Sequence, residues 1–592
     1  MGHSLFAELK RRNVLRAAAL YVAAVWALAQ GIAQLAPVVG APDWVARWFI
    51  AAAAFGFPFW CAFAWFYELT PQGLMRESQI DPAESIRAHN SKRLDRWITA
   101  VLAVAVVLLL TDRFVLRHGV NEEAAVAAPE KSIAVLPFVN LSSDKEQEYF
   151  SDGIAEDLLN QLVKVSALQV TARTSSFSFK GKDLRIPDIA RQLHVAHVLE
   201  GSVRKAGNTV RVTAQLVRAS DGYEMWSQSW DRQLDDIFRI QDEIATDVVK
   251  QLQVALLGDV AAKMTLGGTR NPAAYDAYLR AASAYRHFGP VNLSAGGGNK
   301  EGLQAAIAAY SEAIGIDADY ALAHAGRSLA FADFARALVS GPGVADYLDK
   351  AQADARAAIT LAPGLAEGHL ALANFFAGSL ALTDAAQEYE RAMALAPGNA
   401  GILKNFGAFA DIIGKPEAGL AAAHRLLVLD PLNAMNHFGL GVSLTFARRY
   451  ADATLAFKDA KALGLDDVAV NMWLGISYYF ASDFENAREA CARAGDINGP
   501  WCLSMVYDKL GRHAEAEASL AKVMAVAGDA FAEGYADVYA QWGDTARALD
   551  WMETAMRNRD PYMAYTKVNP FFEPLRKEPR FLAIEKALKF PG

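Results

Sequence analysis

The sequence lacks the short motifs by which many enzyme classes are recognised. It contains no H-E-x-x-H, no G-x-S-x-G and no kinase glycine loop, and the glycines at Gly296–Gly298 lack P-loop spacing. His194 and His197 have the spacing of metal ligands, but we expect one to end a helix and the other to begin a strand. The sequence therefore predicts a protein that is not an enzyme, with no catalytic, cofactor-binding or metal-binding residues.

Basic charge and cysteine are also scarce. The net charge of −8 gives no basic face for a nucleic acid, so we expect no nucleic-acid partner. Only three cysteines occur in 592 residues, and Cys61 lies in an apolar run. Cys491 and Cys502 lie on successive predicted helices across a short turn. Two interpretations of this pair stay open, a disulfide and two buried thiols.

Long apolar runs are present near the N-terminus. Hydrophobic residues make up 53% of the chain, and three segments carry the excess: 17–36, 48–67 and 97–116. Each approaches the ~20 residues that cross a bilayer. Several runs in series argue against a cleaved signal peptide. The pattern predicts a membrane module over 1–117, with three transmembrane helices in a lipid bilayer.

Basic residues near the ends of these runs predict an orientation. Nine lie before the first run or between the second and third, and three lie on the opposite side. The nine are Lys10, Arg11, Arg12, Arg16, Arg76, Arg87, Lys92, Arg93 and Arg96, and the three are Arg47, Arg113 and Arg117. Because basic residues favour the cytoplasmic side, we expect a bacterial inner-membrane protein with a cytoplasmic N-terminus and with residues after about 117 in the periplasm.

A 34-residue period marks the C-terminal half. Pro363, Pro397 and Pro431 each close a Leu-x-Pro triplet at that spacing. The column ten residues further on holds small residues, namely Ala373, Gly407, Gly441 and Gly475. Small residues let the first helix of a unit approach the second, and proline stops the second helix. This register resembles the tetratricopeptide repeat, which implies an α-solenoid of about eight helix pairs over 270–560 and a C-terminal cap over 561–592.

Residues 131–258 follow a different pattern, after an alanine-rich linker over 118–130. The apolar strand KSIAVLPFVNL precedes SDGIAEDLLNQLVKV, whose leucines share one face of a helix. In TVRVTAQLVRA, apolar residues alternate with polar ones, which is typical of a half-buried strand. We expect a compact α+β domain with a mixed sheet.

Several blocks of this region, in order, resemble the TolB-like amino-terminal domain, which is related to the FlgO fold. They are IAVLPFVNLSSD, YFSDGIAEDLLNQL, VTARTSSFSFKGK, IARQLHVAHVLEGSVRKAGNTVRVTAQLVRASDGYEMWSQSWDR and FRIQDEIA. The resemblance implies no catalytic residues, because the blocks of that family are structural. Such domains commonly precede tetratricopeptide repeats, often with a class III nucleotide cyclase or a winged-helix DNA-binding domain at the other end, and neither is visible here. Residues 1–70, with FAELKRRNVLRAAALYVAAVWAL, resemble a two-span membrane module found before such domains.

Three asparagines mark a candidate protein-binding groove. Asn405, Asn436 and Asn471 occur on successive first helices, which line the concave surface of such solenoids. Tetratricopeptide grooves often use asparagine to hold an extended peptide backbone. Ordinary capping or solvation explains the same residues equally well, so both interpretations stay open.

Two functions stay open. The first is a non-enzymatic scaffold, anchored in the inner membrane, that presents the TolB-like domain and the solenoid to a protein or peptide partner. The second is a transmembrane sensor that acts on a separate cytoplasmic effector, such as a nucleotide cyclase or a transcription regulator. The basic segment 68–96 has no strong apolar stripe, which slightly favours the scaffold. The sequence is compatible with a homo-oligomer and does not name the partner.

Overall fold

The computed structural model divides the chain into two units, residues 1–127 and 128–592, and each is described by itself. In the second unit the structure describes all residues except 166, 254–265, 288–299, 338–342, 559 and 592. In the first unit it describes some positions between 14 and 61 and two short strands. The predictions made for 97–116 and for residues 118–127 of the linker lie outside the described residues.

The described part of the first unit contains helical residues and a hairpin. Helical residues run continuously from 52 to 61. The hydroxyl of Tyr21 donates a hydrogen bond of 2.8 Å to the carbonyl oxygen of Ala53, and the Tyr21 ring lies 5.8 Å from that of Trp60. Strands β1 (Tyr67–Thr70) and β2 (Gly73–Arg76) pair in antiparallel orientation.

The predicted transmembrane helices need correction. Among the residues that the structure describes, no helix is both long enough and apolar enough to cross a membrane. The predicted fold class is therefore wrong in its three transmembrane helices, and the predicted inner-membrane location, with its cytoplasmic and periplasmic sides, is wrong with it. An apolar run fixes composition but not a continuous helix. A spanning segment needs a continuous apolar helix of ~30 Å, and the part of the chain that the structure describes contains none.

The second unit begins with a mixed sheet. Its strands are β3 (Ser132–Val135), β4 (Val139–Asn140), β5 (Gln169–Val170), β6 (His197–Ala206), β7 (Thr209–Arg218) and β8 (Glu224–Gln233). They are ordered β5-β3-β6-β7-β8, and β4 also pairs with β6. β3 runs parallel to β5 and β6, whereas β6, β7 and β8 are antiparallel. The apolar residues that alternate along β7 are fully buried, as their pattern predicts.

Four helices complete the α+β domain. They are α1 (Glu148–Val163), α2 (Arg173–Phe177), α3 (Ile186–Leu193) and α4 (Ile237–Gln251). α1 and α4 pack on one face of the sheet around Ile133, and α3 packs against the other face around Val198. Gly201 of β6 has no room for a side chain, because a Cβ there would stand 2.3 Å from the carbonyl oxygen of Thr213.

Helix pairs follow the α+β domain. In the described residues between 272 and 558 there are eight pairs, and we call the first helix of each pair A and the second B. The A helices are α5 (Pro272–His287), α7 (Ala321–Ala337), α9 (Ala366–Gly378), α11 (Ala400–Ile412), α13 (Ala434–Phe446), α15 (Val468–Phe480), α17 (Asn498–Lys509) and α19 (Ala532–Gln541). The B helices are α6 (Lys300–Ile316), α8 (Gly343–Leu361), α10 (Leu382–Leu395), α12 (Pro416–Leu429), α14 (Tyr450–Ala462), α16 (Phe484–Cys491), α18 (His513–Ala527) and α20 (Thr545–Asn558).

The packing inside each pair confirms the tetratricopeptide-type register. Helices α10 and α12 end just before Pro397 and Pro431, where proline stops them. A and B helices meet at the predicted small-residue column. A Cβ at Gly441 would stand 2.5 Å from Cε1 of Phe457, and a Cβ at Gly475 would stand 2.5 Å from Sγ of Cys491. The predicted domain limits stay predictions.

The α+β domain and the solenoid share a core. Tyr275 and Leu279 of the first A helix, α5, pack into the cluster formed by the sheet, α1 and α4. A Cβ at Gly153 of α1 would stand 2.6 Å from the Leu279 side chain, so the two helices are in close contact. Beyond α20 the chain forms two 3₁₀ helices, Pro561–Tyr565 and Pro570–Leu575, and a last helix, α21 (Pro579–Ala587).

Candidate functional site

The A helices form the inner face of the solenoid. From α7 onwards, each A helix packs against the A helix of the next unit as well as against its own B helix. This is the arrangement expected on the inner side of a superhelix of helix pairs. Hydrogen bonds also cross between units: Oγ of Ser443 donates to Oδ2 of Asp411 at 2.5 Å, and the hydroxyls of Thr445 and Ser477 lie 3.1 Å apart.

The three predicted groove asparagines lie on A helices but differ in exposure. Asn405 is half-buried, and its amide donates to the carbonyl oxygen of Gly401 at 2.8 Å. Asn471 is buried, and its amide donates to the carbonyl oxygen of Asp467 at 2.8 Å. Asn436 is also buried and bonds to a neighbouring loop. Asn405 therefore keeps the most side-chain surface for a partner, and a role of the three in peptide binding stays a prediction.

Asn436 belongs to a joint between the α+β domain and the solenoid. Asp430, just before α13, accepts at Oδ1 from the backbone nitrogen of Ser175 at 2.8 Å and from its hydroxyl at 2.7 Å. Its Oδ2 accepts from the amides of Asn433 at 2.8 Å and Asn436 at 3.0 Å. The Ser175 hydroxyl in turn accepts from the backbone nitrogen of Leu432 at 2.9 Å. All four atoms that bond to the Asp430 carboxylate are donors, which suits a buried charge.

A second contact joins α1 to α5. The hydroxyl of Tyr149 donates to Asp276 at 2.7 Å, and Arg286 donates to Glu156 at 2.9 Å. Asp157 accepts a hydrogen bond from the hydroxyl of Tyr275. Burial raises the pKa of Asp157 to about 7, against the lowering effect of that hydrogen bond. The α+β domain is thus fixed to the solenoid both at α5 and at the loop before α13.

The C-terminal segment, residues 560–591, contacts the inner face through residues 565–572, and its last helix, α21, packs on the B helix α20. The ring of Tyr565 stacks on Phe446 of α13 at 5.5 Å between centroids. The ring of Phe571 lies 4.8 Å from Phe480 of α15 and 5.5 Å from Trp501 of α17. This single stretch of chain therefore contacts A helices of three successive units.

An asparagine of the C-terminal segment meets two acidic side chains of α19. The amide nitrogen of Asn569 donates to Oε1 of Glu533 at 2.9 Å and to Oδ1 of Asp537 at 2.8 Å. All three side chains are buried. Burial raises the pKa of Glu533 to about 8 and places the pKa of Asp537 well above its ordinary range. Asp560 lies near Glu533, and burial raises its pKa as well.

Sequence reasoning missed this contact because it treated 561–592 as a cap. A terminal cap needs a polar outer face, yet the stretch NPFFEPL is rich in aromatic residues and proline and falls outside the repeat register. Phe572 is fully buried and Phe571 nearly so. The apolar stretch NPFFEPL, at a position where a cap would be polar, was the signal that could have predicted the contact of this segment with the solenoid.

The two C-terminal cysteines are close together. The sulfur atoms of Cys491 and Cys502 lie 2.03 Å apart and their Cα atoms 5.6 Å apart, which is within the range for a disulfide. Both side chains are buried beside Gly475. Whether Cys491 and Cys502 form a disulfide in the isolated protein stays a prediction, which peptide mapping without reductant can test.

The histidine pair does not form a metal site in the structure. Nδ1 of His197 lies 3.3 Å from the carbonyl oxygen of Ser132, and His194 ends α3 with a positive φ of 52°. Within the described residues, no group of three or more histidine, cysteine or acidic side chains is placed to hold a metal ion.

Comparison with known proteins gives partial matches. A family model described as "HilA/YgeH-like transcriptional regulator, second domain" matches residues 129–247. "Putative adenylate cyclase 3" of Rhizobium meliloti (strain 1021) is 45% identical over 161 residues, which are 27% of this chain and 27% of that relative. The chain thus matches about a quarter of the length of that curated relative. The resemblance of residues 131–255 to the TolB-like domain stays a prediction.

Solved structures share parts of the helical array. The protein pilF of Pseudomonas aeruginosa is 19% identical, with 36% of this chain and 93% of that chain covered and a TM-score of 0.29. A tetratricopeptide repeat protein from Parabacteroides merdae is 15% identical, with 41% and 98% covered and a TM-score of 0.32. Scores this low carry no argument about function. The solenoid is instead assigned from the eight helix pairs described above.

Proposed function

We propose that this chain is a non-enzymatic protein-interaction scaffold whose inner solenoid face receives an extended segment of polypeptide. One observation carries the proposal: this face already holds a short non-repeat segment, residues 565–572, through aromatic contacts and a side-chain-to-backbone hydrogen bond. A face that binds one short segment has the chemistry to bind another. The half-buried Asn405 and the neighbouring surface of α11 are the candidate contacts outside that segment.

The joint with the α+β domain supports the same role. A surface that is fixed before it meets its partner loses less conformational entropy on binding. The buried Ser175–Asp430 bonds and the α1–α5 contacts hold the α+β domain to the solenoid. The partner then meets a composite surface of sheet domain and repeats.

A second candidate function follows from the comparisons. We propose as the alternative that the chain is the sensing arm of a signalling system and acts on a nucleotide cyclase or a transcription regulator. A relative named putative adenylate cyclase is 45% identical to it over 161 residues, and the family model over 129–247 is described as part of a transcriptional regulator. The two functions differ in the identity of the partner and share the binding face.

Site-specific photo-cross-linking tests both proposals. Benzoylphenylalanine replaces Ala408, an exposed position on the A helix α11, and in a matched control replaces Leu455, a 60% exposed position on the B helix α14. After irradiation in the organism of origin, we expect adducts at 408 and none at 455. Adducts only at 455 would contradict the inner face as the binding surface. Mass spectrometry of the adduct then separates the functions, because a cyclase or regulator supports the alternative.

A further inference from the structure

The C-terminal segment contacts the inner face through a compact set of residues. Asn569, Phe571 and Phe572 are buried, at 7% exposure or less, and Pro570 is buried as well. The residues around them are mixed in exposure: Glu573 has 71% of its side chain exposed, and Tyr562 and Leu582 are each 50% exposed, whereas Met563, Leu575 and Phe581 are buried. Within the segment, Asn569 and Phe571 make the contacts with the A helices α15, α17 and α19, as a short recognition motif in a groove does.

The asparagine of this motif fits its acceptors by chemistry. Each of the two amide hydrogens of Asn569 points to one carboxyl group, Glu533 or Asp537. A serine or threonine has a single hydroxyl hydrogen and cannot bond to both, and an aspartate has no second donor. The Asn569 oxygen accepts from the backbone nitrogen of Phe571 at 2.9 Å, which fixes the turn at Pro570. The site thus selects an asparagine followed by proline.

The aromatic residues fit a prepared pocket. Phe571 lies against Phe480 and Trp501, and Phe572 is fully buried. Gln541 of α19 donates from Nε2 to the Phe571 carbonyl oxygen at 2.7 Å, and its Oε1 accepts from the Tyr479 hydroxyl at 2.9 Å. The hydrogen bond from Tyr479 orients the Gln541 side-chain amide, so the groove binds the backbone of the segment as well as its side chains.

The segment is not part of the repeat array. It consists of two 3₁₀ helices and one α-helix, where each of the eight described units before it is a pair of α-helices. Its ion pairs to the array are at the periphery: Glu573 lies 3.8 Å from Arg448, with most of its side chain in solvent. Exposed pairs of this kind contribute little to stability. The segment is anchored instead by buried side chains, by the motif on the A helices and by Leu575, Phe581 and Ile584 in the core cluster of the last units.

We infer that residues 569–572 are a built-in ligand, and that the groove beneath them binds a partner peptide with the same chemistry, an asparagine followed by proline and two aromatic residues. The partner binds by displacing the segment, so the segment lowers the apparent affinity for the partner by occupying the groove. This inference rests on the proposed scaffold function and gives it a ligand class.

The test uses the full chain and a fluorescently labelled peptide of residues 565–578. We expect weak binding to the unaltered chain. In the Asn569→Ala chain, binding of the unaltered peptide should tighten by about tenfold, because two hydrogen bonds that hold the competing segment are lost. Leu582→Ala, at a half-exposed position of the same segment, is the matched control and should bind as weakly as the unaltered chain. A peptide that carries Asn569→Ala should bind to none of the chains.

Circular dichroism and limited proteolysis accompany the binding curves. The inference would be overturned if the Asn569→Ala chain is folded and has a protease-sensitive C-terminus but does not bind the peptide. The groove would then be accessible and still not bind its proposed ligand. Dimers by light scattering without peptide binding would also overturn it, in favour of segment exchange between two copies.

A second measurement covers the case in which Asn569→Ala does not fold. A protease site is inserted between residues 558 and 560, and the folded chain is cut and then mixed with the labelled peptide. Exchange of the cut segment for the peptide supports the inference, whereas unfolding on loss of the segment overturns it. Adducts at position 408 without peptide binding would leave the scaffold proposal standing and remove only this ligand class.

Discussion

The side chains of Ser175 and Asp430, 255 positions apart in the sequence, form a buried pair in which one carboxylate oxygen accepts two hydrogen bonds from one serine. The serine hydroxyl is also an acceptor for the backbone of Leu432. The pair therefore satisfies a buried charge and a buried backbone donor together, and it joins the sheet domain to the middle of the solenoid rather than to its first unit alone.

Ser175→Ala should loosen this joint. The change removes one hydrogen bond to Asp430 and leaves the Leu432 nitrogen without an acceptor, at a cost of about 1–3 kcal/mol. Hydrogen–deuterium exchange should rise in peptides that cover 172–178 and 429–436. Ser176→Ala is the matched control, because Ser176 is equally buried and its hydroxyl has no hydrogen-bond partner among the described residues. Equal exchange in both variants would show that the pair does not hold the joint.

Gly441→Ala should destabilise the solenoid. A Cβ at this position would stand 2.5 Å from the ring of Phe457, so α13 and α14 must move apart, at a cost of about 1–3 kcal/mol. Urea unfolding followed by tryptophan fluorescence measures the change. Gly439→Ala on the same helix is the control, because a Cβ there has no atom within 4 Å, and it should leave stability unchanged or raise it. Destabilisation of equal size by both changes would contradict close packing at Gly441 as the cause, since helix propensity favours alanine over glycine at both positions.

Asp411→Asn should reduce the pH dependence of stability. Burial raises the pKa of Asp411 to about 7, with the Ser443 hydroxyl acting in the opposite direction. The folded-state pKa of Asp411 lies above the ordinary aspartate value of about 3.9. The stabilisation from the protonated Asp411 carboxyl is therefore complete below about pH 3.9 and is lost as the pH rises through about 7. We expect the free energy of unfolding to fall by about 1.4 kcal/mol less between pH 6 and pH 8 in the variant than in the unaltered chain.

Two controls accompany the pH series. Asp346→Asn, at a side chain with 61% exposure, should keep the full slope. The Asp411→Asn variant should also keep the part of the pH dependence of stability that comes from Asp157 and Glu533, whose pKa values of about 7 and 8 lie in the same range. An unchanged slope in Asp411→Asn would mean that Asp411 is ionised throughout this range.

The cysteine pair should be oxidised in the isolated protein. Peptide mapping without reductant should yield one peptide pair linked through Cys491 and Cys502, and both thiols should resist alkylation after denaturation. The bond closes a short loop, since the cysteines are 11 positions apart, and its removal by Cys491→Ser with Cys502→Ser should cost about 3 kcal/mol in the chain-entropy description. Full alkylation of both thiols in the unreduced, denatured chain would instead support the interpretation as two buried thiols.

The sequence by itself determined the features that repeat or alternate locally. The 34-residue spacing of Pro363, Pro397 and Pro431 and the small residues at Gly441 and Gly475 were sufficient for the helix pairs, because each pair is built from contacts within about one unit. The alternation in β7 was sufficient for a half-buried strand of a mixed sheet. These patterns have one structural solution.

Only the tertiary structure decided which chemical groups meet. An asparagine can cap a helix, bond to a carboxylate or bind a peptide, and the sequence left these roles open for Asn436, which the fold places on Asp430. The sequence contains three apolar runs, but composition does not specify a continuous helix, and among the described residues no helix is long and apolar enough to cross a membrane. The position of Asn569 depends on how the chain turns back after α20 onto α19, whose Asp537 lies 32 positions earlier, and no local pattern in the sequence specifies that turn.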